Sequence, residues 1–240
     1  MSRKHPRSAL PGAALGVAWQ SVSLLLGYPD EQLVGLAATI REASRGLPDE
    51  VGEPIRGFVV HLESTQLEQL QADYVETFDS RRRCNLFLTY FAHGDTRKRG
   101  VALLRFKQTY LRSGFVLDAE SEHGGELPDH LCVVLEYAAT VDLERGRRLL
   151  LDHRAGLELL RIALRDAGSP WAPPVSVLAE TLPPLRGDEW DVVRRLAAEG
   201  PPEEEVGLDP YAGPAFDPAL DGRRPGVPQP LPMPSFPGGR

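Results

Sequence analysis

The residues best suited to acid–base chemistry are the adjacent Asp129 and His130, in the run 126–131. A carboxylate that orients an imidazole is the basis of many hydrolytic sites. Here, however, Pro128 is typical of a first helical turn, and neighbouring residues on a helix point about 100° apart. We therefore predict that this pair begins a helix and does not form a catalytic dyad.

Other catalytic and metal-binding patterns are missing from the sequence. Its histidines form no HExxH motif, and Cys84 and Cys132 form no CxxC pair. It has no GxGxxG motif after a strand, no GxxxxGK(S/T) loop and no GxSxG elbow. We therefore predict a protein that is not an enzyme, with no catalytic residue, no metal site and no cofactor of its own.

Basic side chains occur in two short runs, at residues 81–83 and 97–99, with aromatic residues between them. Such a pattern can contact phosphates. The formal net charge of −7 and the pI of about 5.4 argue against a general affinity for nucleic acid. Two interpretations stay open, which are a solvated, ion-paired face and a basic rim that faces a protein partner.

The elements that would position these residues are helical. Apolar residues recur at i, i+3, i+7 and i+11 from Leu67 to Phe78, and Asp30 is placed as a helix N-cap. Thr65 and Glu68 have the spacing of a capping box. Asp95 is the expected N-cap of a helix that runs to about residue 112. Further helices are expected at 17–26, 30–40, 49–62, 128–141, 147–167, 172–182 and 188–199.

The fold class is therefore all-α, because no stretch alternates apolar and polar residues over a useful length. The most strand-like piece is residues 86–91. We predict a flexible N-terminus at 1–14 and a single helical domain at 15–200. Residues 201–240 contain 11 Pro and 6 Gly, which predicts a disordered tail that the domain does not need for stability.

Compartment signals are sparse. No stretch approaches 18 consecutive apolar residues, so we expect no membrane span. The basic N-terminus has no adequate signal-peptide core after it, and two distant cysteines fit a reducing compartment. The expected location is the cytoplasm.

Three motifs stand in order between residues 74 and 136. They are YVxxFD at 74–79, LxLTYxxxGDTRxRG at 86–100 and ELPDHLxVxLE at 126–136. Together they resemble the NarJ family of nitrate reductase assembly chaperones (the nitrate reductase delta subunit family), which are relatives of the TorD-type chaperones. The resemblance covers about residues 17–200 and leaves the Pro-rich tail outside. TorD-type relatives have their proline one position earlier than Pro128.

The resemblance implies an all-helical, cytoplasmic chaperone of the TorD/NarJ-like type. Its partner would be the catalytic alpha subunit of a respiratory nitrate reductase, bound through the N-terminal peptide of the apo-enzyme. The chaperone would keep that subunit competent for molybdenum cofactor insertion and complex assembly. Cofactor-delivery proteins are further candidate partners. The alternative is a helical peptide-binding adaptor or regulator unrelated to molybdoenzymes.

A peptide-binding helical domain needs an apolar groove with polar groups at its rim. Aromatic and leucine residues of the three motifs could line such a groove or be ordinary core: Tyr74, Phe78, Leu88, Tyr90, Phe91, Leu131 and Leu135. Charged residues of the motifs could form the rim: Asp79, Asp95, Arg97, Arg99, Asp129 and His130. For Asp95 and Asp129 the alternative is helix capping. His130 could make peptide affinity depend on pH near neutrality.

Overall fold

A computed structural model describes residues 10–117 and 126–200, all within one compact unit of the chain. The predicted tail at 201–240, the first nine residues and most of the loop at 118–126 lie outside the described residues. The described part is helical and contains no strand, which confirms the all-α class. The helices are α1 (Gly12–Leu25), α2 (Glu31–Ser44), α3 (Asp49–Ser64), α4 (Leu67–Tyr74), α5 (Tyr90–His93), α6 (Arg97–Leu111), α7 (Leu131–Thr140), α8 (Leu143–Asp152), α9 (Arg154–Asp166), α10 (Ala172–Thr181) and α11 (Gly187–Glu199).

The core forms where α1 packs against α7 and α10, and where α3 packs against α2 and α10. Trp19 of α1 and Trp171, just before α10, are both fully buried. The Trp19 indole donates a hydrogen bond to Thr181 Oγ1 at 2.9 Å, which satisfies its one polar group. Three rings surround Trp171 with centroid distances of 5.4–5.7 Å: Phe58, Tyr74 and Phe78.

Several predicted helices have different bounds in the structure. The helix predicted at 17–26 is α1, which begins at Gly12 and ends at Leu25. The helix predicted at 147–167 is two helices, α8 and α9, which are separated at His153. Gly146 lets α8 approach α7, because a Cβ at this position would lie only 2.3 Å from the Cβ of Ala138.

The caps were predicted with mixed success. Asp30 caps α2 by accepting a hydrogen bond from the Leu33 N–H at 2.7 Å, which confirms that prediction. The capping box at Thr65 is wrong, because α4 begins after Gln66 and has no side-chain cap. The Thr65 hydroxyl instead lies 3.3 Å from the imidazole Nδ1 of His61, at the end of α3.

The two cap predictions near the candidate site are also wrong. α6 begins at Arg97 with Thr96 at its N-cap position, and Asp95 forms an ion pair with Arg99 instead of capping the helix. α7 begins only at Leu131. Pro128 therefore precedes the helix and lies in a turn, because the preceding segment makes tertiary contacts that a helix could not make.

Candidate functional site

Asp129 lies at the centre of a buried polar cluster that joins two segments distant in sequence. Its Oδ2 atom accepts hydrogen bonds from the Thr89 backbone N–H at 3.1 Å and the Thr89 hydroxyl at 2.5 Å. The Leu88 N–H donates to the Asp129 carbonyl, and the Leu131 N–H donates to the Leu86 carbonyl. Residues 86–88 are thus held against residues 129–131 by a single antiparallel bridge. The predicted strand-like run 86–91 forms no strand, because residues 88 and 89 make a turn and Tyr90 begins α5.

Arg99 reaches this cluster from the first turn of α6. Its Nε donates to Thr89 Oγ1 at 3.2 Å, and its Nη1 donates to Asp95 Oδ1 at 2.8 Å. Its Nη2 lies 3.7 Å from Asp129 Oδ2. The guanidinium also stands 5.0 Å from the ring centroid of Phe87, within the range of a cation–π contact. Arg99 therefore ties α6 to both segments. We call this cluster the Asp129 junction, and its residues are Phe87, Thr89, Asp95, Arg99, Glu126, Asp129 and His130.

His130 completes the junction on its other side. Its Nδ1 lies 2.9 Å from Glu126 Oε2, and its ring meets the Phe87 ring edge-on at 5.2 Å. Burial disfavours the charged imidazole, but Cys132 and the Glu126 carboxylate outweigh burial and raise the pKa of His130 to about 10. The hydrogen bond to His130 lowers the pKa of Glu126. A pKa raised in this way favours the charged imidazole near neutral pH. A dependence of peptide affinity on pH through His130 stays a prediction.

The structure brings together four of the six predicted rim residues: Asp95, Arg99, Asp129 and His130. Only Asp95 among them is largely exposed, whereas Asp129 is fully buried. Asp79 lies elsewhere, at the exposed end of the π-helical turn Val75–Asp79 that follows α4. Arg97 is exposed in the first turn of α6. The predicted residues therefore form a buried junction more than a rim.

The predicted groove residues are part of the core. Each has a relative exposure of 8% or less, so in this structure they supply no open surface: Tyr74, Phe78, Leu88, Tyr90, Phe91, Leu131 and Leu135. The sequence left open whether these residues line a groove or pack in the core, and in the structure they pack in the core. Their contact with a client peptide stays a prediction, and it would require these side chains to become exposed.

Three junction residues were not among the predicted site residues: Phe87, Thr89 and Glu126. Thr89 contributes the two donors that hold Asp129, and Glu126 holds His130. Thr89 and Phe87 belong to the strand-like run, which stood alone among helices in the sequence. That isolation was the available signal, because an extended segment in a helical protein must satisfy its backbone groups elsewhere.

A surface cleft of about 450 Å³ lies between α1 and the end of α7. Its walls are rich in small residues, and Val17 and Val141 at its edge are 37% and 42% exposed. The Gln20 Oε1 atom is buried there and has no hydrogen-bond partner among the described residues. The sequence analysis assigned no site residue here. The lining residues are Gly12, Ala13, Gly16, Val17, Gln20, Ala138, Ala139, Thr140, Val141 and Leu143.

Within residues 10–117 and 126–200, no group of three or more His, Cys, Asp or Glu side chains is placed to hold a metal ion. No helix there has the length and apolar character needed to span a bilayer.

Comparisons with a family model and with related proteins indicate the same family. The family model described as "Nitrate reductase delta subunit" matches residues 44–176, which include the Asp129 junction. The chain is 34% identical over 170 residues to the Bacillus subtilis "Probable nitrate reductase molybdenum cofactor assembly chaperone NarJ", covering 69% of this chain and 88% of that protein. It is 32% identical to the Escherichia coli "Nitrate reductase molybdenum cofactor assembly chaperone NarJ", covering 78% of each.

A longer relative also contains a matching region. The chain is 40% identical over 177 residues to the "Nitrate reductase-like protein NarX" of Mycobacterium tuberculosis, covering 74% of this chain. It spans only 26% of the length of NarX. The family match covers more than half of the chain, and the Bacillus relative is matched over most of its own length. The chain therefore belongs to the nitrate reductase delta subunit family.

Proposed function

We propose that this chain is a cytoplasmic assembly chaperone for a nitrate reductase. It binds the N-terminal segment of the catalytic alpha subunit and keeps the apo-enzyme competent for molybdenum cofactor insertion. The observation that carries this proposal is the match to the Bacillus protein named as such a chaperone, over 88% of that protein's length. The cofactor belongs to the client, and the chaperone itself performs no catalytic step.

The cleft between α1 and α7 is the better candidate for the client peptide than the buried motif residues. Glycine and alanine on both walls would let the backbone of a peptide helix approach closely, and the exposed Val17 and Val141 offer it apolar edges. Gln20 also lines the cleft and adds a polar side chain to its wall.

The Asp129 junction serves this function as a positioning device. It fixes the chain immediately before α7, and the last turn of α7 provides one wall of the cleft. Asp129 and His130 are therefore proposed to position α7, without touching the client. This assignment explains how buried residues of the ELPDHL motif can affect client binding.

The test is isothermal titration with a synthetic peptide of the first ~15–30 residues of the cognate alpha subunit, since burial of apolar surface gives a negative heat-capacity change. We expect one peptide bound per chain. Gly16→Leu should weaken binding at least about tenfold, because its side chain enters the cleft towards the Ala139 carbonyl, which lies 3.5 Å from a Cβ at this position. Gly35→Leu is the matched control, because a Cβ there meets nothing within 4 Å.

The outcomes separate the possible failures. A scrambled peptide that binds equally well would contradict the chaperone proposal and favour the unrelated adaptor. Specific binding that Gly16→Leu leaves unchanged would retain the chaperone function but exclude the cleft as its site. A second measurement is nitrate reductase activity in cells that lack their own chaperone and carry either variant, in which only Gly35→Leu should restore activity.

A further inference from the structure

The segment from Arg97 to Arg112, which is α6 and its C-terminal cap, has a charge opposite to that of the whole chain. It contains six basic residues and no acidic one, whereas the chain has a net charge of −7. Arg99 turns inward to the Asp129 junction. Four other cations of this segment are exposed and form no ion pair with a carboxylate in the described ranges: Lys98, Arg105, Lys107 and Arg112.

The same helix exposes aliphatic side chains. Val101, Leu104 and Leu111 are 60%, 55% and 60% exposed, which is unusual for three large aliphatic residues on one helix. At about 100° per residue they fall within roughly a quarter of the helix circumference. The opposite face is the one that packs on the protein, through the buried Ala102, Phe106 and Tyr110.

The cations flank this aliphatic stripe on both sides. On the same helical geometry, Lys107 lies beside Leu111 on one edge, while Arg105 and Arg112 lie beyond Val101 on the other. The exposed Arg97 and Gln108 fall within the same quarter of the circumference, so this face mixes aliphatic and polar side chains. Aliphatic groups flanked by long cationic side chains are typical of helices that lie in a membrane interface. The aliphatic groups enter the acyl boundary there, and the cations reach outward to the lipid phosphates.

We propose that α6 docks this protein reversibly on an anionic membrane surface. The stripe is on α6, and the cleft described above is lined by residues of other helices. An exposed amphipathic face of a single helix can lie flat on a bilayer. Positive charge close to the negative surface of the membrane adds attraction that salt screens. This inference does not depend on the chaperone function.

The experiment is flotation of the full chain with vesicles of phosphatidylcholine, with and without about 30% phosphatidylglycerol. The full chain is used because three acidic residues follow α6 closely in the sequence, and their negative charge opposes attraction to an anionic surface. They are Asp118, Glu120 and Glu122, which lie outside the described residues. We expect binding to the anionic vesicles only, and loss of that binding near 0.5 M salt, where the Debye length is about half its physiological value.

Variants assign the binding to α6. The quadruple change Leu104→Gln, Arg105→Gln, Lys107→Gln and Leu111→Gln should lower vesicle affinity by at least about tenfold. The control Arg194→Gln and Arg195→Gln removes two exposed positive charges from α11 and should change affinity little. All of the altered side chains are exposed, so the thermal unfolding midpoint should stay near the wild-type value, which a melting curve checks.

Two results would overturn the proposal. The first is an equal loss of affinity in the α11 control, which would indicate a nonspecific charge effect. The second is no flotation with the anionic vesicles, and the α6 variant is then tested for weaker binding of the alpha-subunit peptide. Weaker peptide binding by that variant would assign the stripe to an acidic protein segment instead of a membrane.

Discussion

Two carboxylates of this protein, those of Glu158 and Asp129, are buried, and their negative charges are compensated in different ways. Glu158 on α9 is 3% exposed and lies between two arginines of its own helix. Its Oε1 accepts from Arg161 Nη2 at 2.5 Å, and its Oε2 lies 3.5 Å from Arg154 Nη1. Arg154 also donates to the Ala179 carbonyl of α10 at 3.1 Å, so this triad clamps α9 to α10.

Asp129 has mainly neutral partners, and they come from 40 residues away in the sequence. Its nearest cation, Arg99, is beyond hydrogen-bond distance at 3.7 Å. Its Oδ1 is buried without a hydrogen-bond partner among the described residues. Glu158 therefore balances buried charge within one helix, whereas Asp129 holds two chain segments in place. Removing each should have consequences of a different kind.

The largest effect is expected from Glu158→Leu, which leaves Arg154 buried without its counter-charge. Burial already lowers the pKa of Arg154, and Glu158 acts against that shift. An uncompensated buried charge typically costs about 3–5 kcal/mol of unfolding free energy. Urea denaturation measures this loss.

A double variant provides the control for this prediction. Combining Glu158→Leu with Arg154→Met removes both buried charges and should recover at least half of the lost stability, because replacing a whole buried ion pair by apolar side chains is often neutral. A double variant as unstable as the single one would mean that packing, and not charge, explains the loss.

The next effect in size is expected from Asp129→Ala, at about 2–3 kcal/mol. The change leaves the Thr89 N–H and hydroxyl buried without their acceptor. Amide hydrogen exchange should show that the effect of Asp129→Ala is local. Exchange should become faster at Leu88 and Thr89, and protection in α9 and α10 should be unchanged. Uniform loss of protection across the protein would contradict the view that Asp129 holds a local junction.

The same contrast explains which parts of the structure the sequence could predict. The helical spacing from Leu67 to Phe78 and the Asp30 cap depend on neighbours a few residues away, and both predictions were correct. The Asp95 cap failed because this carboxylate pairs instead with Arg99, four residues further on, which is a competing local contact. The helix start at Pro128 failed because the segment before α7 bonds to residues near Thr89. Local patterns do not contain such long-range partners.

The candidate site shows a second limit of prediction from sequence. A stripe such as Tyr74 and Phe78 has the same spacing whether it lines a groove or packs inward, and here it packs around Trp171. Four of the predicted polar residues do meet at the junction, and their part in client binding stays a prediction. The cleft was missed because its walls are glycine and alanine, which carry no chemical signal of their own.

A smaller effect is expected from the pH dependence of His130. In the folded protein its pKa is about 10, against roughly 6.5 in an unfolded chain. The protonated imidazole therefore contributes stability that is fully present below about pH 6.5 and is lost as pH rises towards 10. Between pH 7 and 9 the wild type should lose at least about 1 kcal/mol more than His130→Gln.

Urea denaturation at several pH values measures this difference between the two proteins. Groups far from His130 that titrate in the same range contribute equally to both and cancel in the comparison. Cys132, which acts on His130, does not cancel, so both proteins are also measured with Cys132→Ala. Parallel curves for the wild type and His130→Gln would mean that Glu126 does not hold the charged imidazole.

The smallest effect is expected from Asp95→Asn, which also removes a negative charge facing Arg99. The Asp95 side chain is 78% exposed, and that of Asp129 is fully buried. Water and salt screen the exposed pair, so its loss should cost about 0.5 kcal/mol or less and should vanish near 1 M salt. Asp129→Asn should cost more and should keep its cost at high salt. A salt-insensitive loss above about 1.5 kcal/mol of unfolding free energy in Asp95→Asn would show instead that the exposed Asp95 carboxylate sets the position of Arg99. The junction would then depend on this surface contact more than on the buried Asp129.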